Sequence, residues 1–369
     1  MRGGILRRLI SEGVSPWLNG FHRGFLQARR LSALAAEEGV RGATAQPALL
    51  AAALSAEHAY RPQLARLARD GSDVGAALRA LQTQDARLAC DELGAVHEAT
   101  GRRDGHVSLD LDPGLAHDAA ATVAAATALV AAVARQNALV KIPATAEGLT
   151  AIRDCVGRGI GVHAVEIYTP RRYREVADAY CAGLEIARDA GRALHGIVSL
   201  ASAPVYRIDI ECDARLAELG TPAADALRGG TALALARLMY HDYDERLGSD
   251  RWRRLAAAGA RPQRLLWTVD GPHTPDQAGY AARLVGWHTA LALPLRSLVA
   301  ADRWGTPCGD TLDGRRGAAL RVLDEFERTG LRFEAVAGRL AAHGEKRLVR
   351  SWEALRGTVG TQLRLHGAR

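Results

Sequence analysis

A lysine inside an apolar segment is the residue of this chain best suited to covalent chemistry. Lys141 lies in the run Ala138-Leu139-Val140-Lys141-Ile142, which is typical of a buried parallel strand, and Pro143 ends it. The chain has 48 lysines and arginines, of which only Lys141 and Lys346 are lysines. Arginine stays protonated in proteins, whereas a buried amine can lose its proton and attack a carbonyl. Lys141 is therefore a candidate for imine formation.

A buried ion pair is the structural alternative for Lys141. Asp110 and Asp112 stand at the end of the alternating segment His106 to Asp112, which is predicted to be a neighbouring strand. A carboxylate beside the amine would satisfy its charge instead of leaving it to react. The sequence leaves both interpretations open. Lys346, in the polar run Gly344-Glu345-Lys346-Arg347, is interpreted as an ordinary solvated charge.

Strands and helices alternate along the chain, which favours a parallel sheet covered by helices. Strands are predicted at 14–18, 40–44, 106–112, 138–142, 160–169, 196–202, 265–269 and, more weakly, 291–293. Helices are predicted at 31–38, 49–67, 74–97, 115–135, 145–156, 170–190, 221–240, 242–255, 317–328 and 333–359.

We predict an α/β fold, a TIM-type (β/α)8 barrel with extra N- and C-terminal helices. Such a barrel needs about 250 residues, so a chain of 369 residues has room for the additional helices. No linker rich in Gly, Ser or Pro divides the chain, and a single domain over 1–369 is expected. A doubly wound open sheet is the alternative, but the glycine-rich phosphate loop that it often uses is missing.

Functional side chains of a barrel lie at the C-terminal ends of its strands. That rule selects an amine, two carboxamides, a carboxylate, an imidazole and a Ser/Arg pair. These residues are Lys141, Asn19, Gln46, Asp110, His163, Ser202 and Arg207. Together they make a plausible site for carbonyl chemistry. His163 has an ordinary pKa suited to proton transfer near neutrality, although a hydrogen-bonded core imidazole is the alternative. Glu166 is predicted to lie on the opposite strand face and to pair with an arginine of a covering helix.

Composition and charge exclude several other classes of function. The net charge is +7 and the pI is near 9.4, but the arginines are interleaved with acidic residues. No basic run with interleaved aromatic residues is present, so nucleic-acid binding is not expected. The longest apolar stretch, Ala119 to Val133, is too short to span a bilayer, and no secretion signal is recognised. A soluble cytoplasmic protein without membrane contact is predicted.

The cysteine pattern indicates neither disulfides nor a zinc site. The five cysteines are widely spaced and never form a Cys-x-x-Cys pair, which is typical of buried thiols in a reducing compartment. We expect no metal and no cofactor. The sequence allows a homo-oligomer without specifying one.

Three motifs resemble the transaldolase family in its longer bacterial form. They are Val107-Ser108-Leu109-Asp110-Leu111-Asp112-Pro113-Gly114-Leu115-Ala116-His117-Asp118, Val140-Lys141-Ile142-Pro143-Ala144-Thr145-Ala146-Glu147-Gly148-Leu149, and Ser199-Leu200-Ala201-Ser202 leading to Arg207-Ile208-Asp209. Weaker similarities are Trp17-Leu18, 42–47, 261–267, and Glu345-Lys346 before Ser351-Trp352. The resemblance extends over nearly the whole chain.

This resemblance implies an enzyme that works without a cofactor on a sugar or sugar phosphate. Lys141 would form an imine with a ketose phosphate, keep a dihydroxyacetone unit as an enamine and pass it to an acceptor aldehyde. Asp110 matches the family's glutamate, which relays protons through a water. Ser202 and Arg207 match its phosphate-binding pair.

Several positions depart from the family's pattern. Asn19 stands where the family has Asp, Gln46 where it has Asn, Asp110 where it has Glu, His163 where it has Asn, and Val165 where it has Thr. Asparagine accepts no proton and valine holds no water. The family's second phosphate motif, Ser-Thr-Gly-x-Lys, appears here as 269–273, Val-Asp-Gly-Pro-His.

The departures lead to three hypotheses. The first is a transaldolase-like enzyme with an altered substrate, as in specialised metabolism. The second is a catalytically impaired homologue that binds sugar phosphate or partners a true transaldolase. The third, which the scattered charges disfavour, is a nucleic-acid-binding scaffold.

Overall fold

Eight parallel strands form a closed barrel in the computed structural model, which describes residues 4–56, 58–269, 280, 282–300 and 309–367. The strands are β1 (Val14–Asn19), β2 (Gly42–Thr44), β3 (His106–Asp110), β4 (Ala138–Pro143), β5 (Val162–Val165), β6 (Ser199–Ala203), β7 (Arg264–Thr268) and β8 (Thr289–Leu293). Each strand pairs with the next in the chain, and β8 closes on β1. The predicted TIM-type barrel is confirmed.

Helices surround the barrel and extend it at both ends. They are α1 (Ile5–Ser11), α2 (Arg23–Gln27), α3 (Arg30–Glu37), α4 (Pro47–Ala56), α5 (Arg61–Arg69), α6 (Val74–Glu92), α7 (Gly94–Ala99), α8 (Ala119–Val133), α9 (Ala146–Gly157), α10 (Pro170–Asp189), α11 (Val205–Leu219), α12 (Pro222–Asp225), α13 (Thr231–Leu247), α14 (Asp250–Ala257), α15 (Leu295–Val299), α16 (Arg316–Arg328) and α17 (Phe333–Gly367). Within the described ranges, none has the length and apolar character that a membrane span requires.

Side-chain caps explain where the helices after β3, β4 and β5 begin. Asp118 accepts a hydrogen bond from the backbone N–H of Ala121, and Thr145 accepts one from Gly148. Thr169 does the same for α10. Each cap satisfies an N–H group that the first helical turn leaves unpaired. The loops that carry the candidate site are therefore held firmly at their helical ends.

Several predicted elements differ from the structure in their bounds, and one helix was not predicted. The helices predicted at 49–67 and 74–97 are each divided in two, and the strand predicted at 106–112 ends at Asp110. The strand predicted at 160–169 ends at Val165, because Glu166 has φ 62° and cannot continue an extended chain. The helix predicted at 221–240 is divided into α12 and α13 at Gly229, whose φ is 69°. Helix α11 was missed, because its β-branched residues, such as Val205 and Ile208, weaken the helical pattern.

The barrel interior has an apolar middle layer beneath the candidate site. Strand register and packing place Trp17, Leu139, Leu200 and Leu266 in it. A β-carbon at Gly42 would overlap the indole of Trp17, so glycine is needed there. The filled middle layer closes the barrel below the site, which leaves the C-terminal mouth as the functional end.

A second, smaller core joins the C-terminal helix to the helices between β2 and β3. Its members are Leu50, Ala53, Leu54, Tyr60, Leu64, Leu67, Ala77, Leu78, Leu81, Trp352, Leu355, Val359 and Leu363. Helix α17 is thereby anchored by its last turns against α4, α5 and α6. Its middle turns cross the mouth of the barrel. The four described cysteines, Cys90, Cys155, Cys181 and Cys212, are buried and free, as predicted.

The protein should lose stability in mild acid, because two of its buried histidines have lowered pKa values. Burial, then His97, lowers the pKa of His106 to about 4, and burial, then Arg264, lowers the pKa of His288 to about 4. The ordinary pKa of each imidazole is 6.5. The contribution of the neutral imidazoles to folding stability is therefore complete above pH 6.5 and is lost as the pH falls towards 4. The difference corresponds to about 3 kcal/mol for each residue.

We expect the free energy of unfolding to decrease over that pH interval, as measured by denaturant titration. His106→Gln should make the decrease smaller by about 2–3 kcal/mol, because one of the two groups no longer binds a proton on unfolding. The same substitution at exposed His58 is the matched control. Equal pH dependence of the two variants would contradict the prediction.

Candidate active site

Three adjacent strands bring an acid, an amine and an imidazole to one level of the barrel. In the strand register, Asp110 of β3 is the partner of Lys141 of β4, which is the partner of His163 of β5. Neighbouring residues of paired strands point to the same side of the sheet. All three side chains therefore project to the inside of the barrel near its C-terminal mouth.

Lys141 is held by two oxygens at the floor of a cavity. Its Nζ donates to the backbone oxygen of Ala45 at 2.5 Å and to Oδ1 of Asp110 at 3.0 Å. The side chains of Lys141 and Asp110 are 14% and 11% exposed. Burial raises the pKa of Asp110 from its ordinary value, and the charge of Lys141 opposes that rise. The ion pair considered as an alternative is present, yet it faces an open cavity.

All seven residues selected from the sequence line this one cavity, which has a volume of about 260 Å³. Asn19, Gln46, Asp110, Lys141, His163, Ser202 and Arg207 share its wall with Val165. Three of the seven, Lys141, Asp110 and Arg207, are charged, and the other four carry neutral hydrogen-bonding groups. An apolar floor with convergent polar groups is typical of a small-molecule site.

Gln46 and Asn19 form a pair on the cavity wall. Nε2 of Gln46 donates to Oδ1 of Asn19 at 2.8 Å. Asn19 ends β1, and Gln46 follows β2, so two adjacent strand ends position the pair. Carboxamides hydrogen-bond substrate hydroxyls as donors or acceptors, but they do not take up protons.

His163 is a buried imidazole with one engaged and one unpaired ring nitrogen. Nδ1 lies 2.9 Å from Oγ of Ser108, and Nε2 has no hydrogen-bond partner among the described residues. Burial, and then the charge of Lys141, lowers the pKa of His163 well below 6.5. The ring is therefore neutral at physiological pH. The imidazole is buried and hydrogen-bonded, as the structural interpretation expects, and it also borders the cavity, as a role in the site requires.

Comparison with known proteins agrees with this geometry. The family model described as transaldolase/fructose-6-phosphate aldolase matches residues 18–359. The chain belongs to this family. A transaldolase of Thermobifida fusca (strain YX) is 44% identical over 367 residues, which cover 99% of this chain and 100% of the relative.

Other relatives match over nearly their full lengths as well. Transaldolase 1 of Streptomyces avermitilis is 43% identical over 365 residues, covering 98% of this chain and 97% of the relative. A transaldolase of Mycolicibacterium smegmatis is 40% identical over 360 residues and covers 97% of each chain. These matches support a transaldolase-type function for this member of the family.

Ser202 and Arg207 lie on opposite sides of the turn between β6 and α11. Ser202 is inside the strand, and its Oγ donates to the backbone oxygen of Ala164 at 3.3 Å. Arg207 lies in the first turn of α11 and lines the same cavity. The other motif predicted to bear on phosphate binding, 269–273, lies outside the described residues after Val269.

The sequence analysis did not predict that Glu166 and residues of α17 line the cavity. Glu166 was predicted to lie on the strand face opposite His163 and to pair with an arginine of a covering helix. The ion pair is confirmed, with Arg347, but the predicted face is wrong, since Glu166 follows the strand and lines the cavity. Arg347, Leu348, Ser351 and Trp352 of α17 form its roof. The resemblance around Ser351-Trp352 was the only signal that pointed there.

Over the part of the chain that is described, no group of three or more His, Cys, Asp or Glu side chains is arranged to hold a metal ion.

Proposed function

We propose that this chain is a transaldolase-type enzyme in which Lys141 forms an imine with a ketose. The observation that carries the proposal is the position of Nζ, which is within 3.0 Å of Asp110 and borders a cavity lined by all the predicted site residues. The amine gives up one proton to Asp110 and adds to the ketone carbon. The former carbonyl oxygen takes up that proton together with a second one from the nitrogen and leaves as water. The resulting iminium then serves as an electron sink.

The reaction needs a base for one hydroxyl proton. When the bond between the third and fourth carbons of the ketose breaks, its electrons move into the iminium and leave an enamine. The proton of the fourth hydroxyl must then be removed, and the departing fragment is an aldehyde. Asp110 is the acceptor best placed for this proton, because burial raises its pKa and brings it nearer to that of a useful base. Reversal on a second aldehyde completes the transfer.

We further propose that the preferred substrate differs from the family's usual substrates in its pattern of hydroxyl groups. Asn19 cannot take a proton, Asp110 is one methylene shorter than glutamate, and Val165 offers no hydroxyl where the family has threonine. All three line the cavity. A changed set of hydrogen-bonding groups around an unchanged lysine favours a different pattern of substrate hydroxyls, as specialised metabolism would require.

A second candidate is a sugar-phosphate-binding or partner protein without turnover. One observation favours it: Lys141 is engaged by both Ala45 and Asp110, which hold its charge in place. This candidate predicts ligand binding that persists when Lys141 is replaced.

Borohydride trapping tests the enzymatic proposal directly. The protein is incubated with fructose 6-phosphate and other ketoses, reduced, digested and analysed by peptide mass. We expect an adduct on the Lys141 peptide, whereas the peptide of Lys346, the chain's other lysine, serves as the internal control. Absence of an adduct with every ketose tried would count against imine chemistry and favour the second candidate.

His163 should contribute to turnover as a neutral hydrogen-bonding group. His163→Phe removes both ring nitrogens and should lower kcat/KM by about 100-fold, the usual cost of losing one hydrogen-bonding group of an active site. His163→Asn, which restores the amide of the family's pattern, should cost less. Because the pKa of His163 lies well below 6.5, the pH–rate profiles of the native protein and His163→Asn should share one shape around neutrality. An inflection near neutrality that disappears in His163→Asn would show instead that the imidazole titrates during turnover.

A further inference from the structure

We infer that Arg347, on the C-terminal helix, is a specificity-determining residue that binds the phosphate of the sugar substrate together with Arg207. The inference rests on the proposed function, and it concerns a part of the chain that is distant from the barrel strands in sequence. Arg347 lies on α17, 140 positions beyond Arg207 in the chain, as the residue numbers show. Both side chains line the cavity above Lys141.

The two arginines reach the cavity from different helices. Arg207 comes from the first turn of α11, and Arg347 comes from the helix that crosses the mouth. Tyr168 lies near both: burial and Glu166 raise its pKa, and the charges of Arg347 and Arg207 each oppose that rise. Both cations therefore act on the same phenol, and both line one cavity of about 260 Å³, which is the geometry that a shared anion requires.

Glu166 holds Arg347 in position. Its Oε1 accepts from Nη2 of Arg347 at 2.8 Å, and its Oε2 accepts from the hydroxyl of Tyr168 at 2.5 Å. The carboxylate side chain is only 15% exposed. Its backbone has φ 62°, a conformation that is sterically unfavourable for a residue with a β-carbon. Such a backbone persists where surrounding contacts enforce it, as at ligand sites.

Gly344 lets the helix approach this carboxylate. A β-carbon there would clash with Oε2 of Glu166 and would crowd the hydroxyl of Tyr168 at 2.7 Å. Arg347 lies three residues further along α17, and residues three apart share a helix face. The glycine, which weakens a helix interior, thus accounts for how Arg347 reaches the cavity.

The local charge suits a phosphate ester. Arg207 and Arg347 contribute two positive charges to the cavity wall, and Glu166 contributes one negative charge. A guanidinium has five N–H donors in a planar fork, so its contact with one oxygen of Glu166 is compatible with binding a second anion. Ser351, one turn beyond Arg347, adds a hydroxyl to the same wall.

Substitution of Arg347 by glutamine tests the inference on the full-length protein. The matched controls are Lys346→Gln and Arg350→Gln, which remove exposed cations from the same helix. Binding is measured as the thermal stabilisation of each variant by inorganic phosphate. We expect Arg347→Gln to weaken phosphate binding by about 10- to 100-fold, as the loss of a charged hydrogen bond implies, and both controls to behave as the native protein does.

Kinetics with and without the phosphate supply the second readout. Arg347→Gln should raise KM for fructose 6-phosphate by a similar factor and leave kcat, and all rates with unphosphorylated fructose, nearly unchanged. Arg347→Lys keeps the positive charge but not the planar guanidinium. Its KM for fructose 6-phosphate should lie between those of the native protein and Arg347→Gln. This variant is the control for a folding defect in Arg347→Gln.

The inference is overturned if native protein shows no saturable phosphate binding, or if Arg347→Gln matches Lys346→Gln. Because phosphate binding requires no turnover, this outcome is distinct from failure of the borohydride test. A protein that binds phosphate through Arg347 but forms no adduct would keep the inference and refute the enzymatic proposal.

Discussion

Replacement of Lys141 by methionine is expected to abolish ketose trapping and to lower turnover by at least about 10,000-fold, because Lys141 is the only primary amine among the described residues that line the cavity. Methionine is close to lysine in length, so the cavity keeps its shape. The substitution also removes the cation beside Asp110, whose pKa is already raised by burial. Rates of transfer and of adduct formation measure the effect.

A second substitution separates the amine from its charge. Lys141→Arg retains a cation next to Asp110 but cannot condense with a ketone, since arginine stays protonated. Turnover should be lost in both variants, whereas stability should suffer mainly in Lys141→Met. Lys346→Met is the control for the loss of a lysine elsewhere. Measurable transfer in both Lys141 variants would mean that the imine forms elsewhere or that another mechanism operates.

The convergence of the site was predictable because the barrel imposes it. Strand periodicity located β3, β4 and β5, although β3 and β5 end before their predicted ends at 112 and 169. Parallel strands in a barrel present their C-terminal ends at one mouth. Asp110, Lys141 and His163 are therefore neighbours, although 53 positions separate the first from the last, as their numbers show. Residue type and topology were sufficient for this step.

The roof of the site depends on information that local patterns do not contain. Arg347 meets Glu166 across 181 positions, and the contact needs a left-handed backbone at Glu166 and a glycine in α17. The hydrophobic pattern of a strand does not reveal that the strand ends at a residue with a left-handed backbone conformation. The ionisation of His163 was equally hidden, because the lowered pKa comes from burial and from Lys141 rather than from the imidazole itself.

At the opposite end of the barrel, Arg264→Leu is expected to give the largest loss of stability. Arg264 donates to Oδ1 of Asp104 at 2.7 Å, to Oγ of Ser15 at 2.6 Å and to the backbone oxygen of Thr289 at 2.9 Å. Burial would raise the pKa of Asp104, but Arg264, Ser15 and Arg41 together lower it. Without Arg264 a charged carboxylate is left in a buried site.

We expect that variant to lose about 3–5 kcal/mol, the usual cost of breaking a buried ion pair from one side. The matched control is Arg171→Leu, which breaks an exposed pair with Glu175. The side chain of Arg171 is 76% exposed, against 8% for Arg264, so the control should change stability by less than about 1 kcal/mol. Denaturant unfolding at neutral pH measures both, and similar losses would contradict the argument.

The double variant Arg264→Leu/Asp104→Leu shows which interaction accounts for the stability that Arg264→Leu loses. If the loss comes from an unpaired charge, removing Asp104 as well should recover much of it, because two apolar groups need no partner in this position. If the loss comes from the missing contacts to Ser15 and Thr289, the second substitution should add to the first. We expect partial recovery, since desolvation of the lone carboxylate is the larger effect and the neutral hydroxyl and carbonyl groups cost less to leave unpaired. The buried pair would then act chiefly to fill and close the base of the barrel.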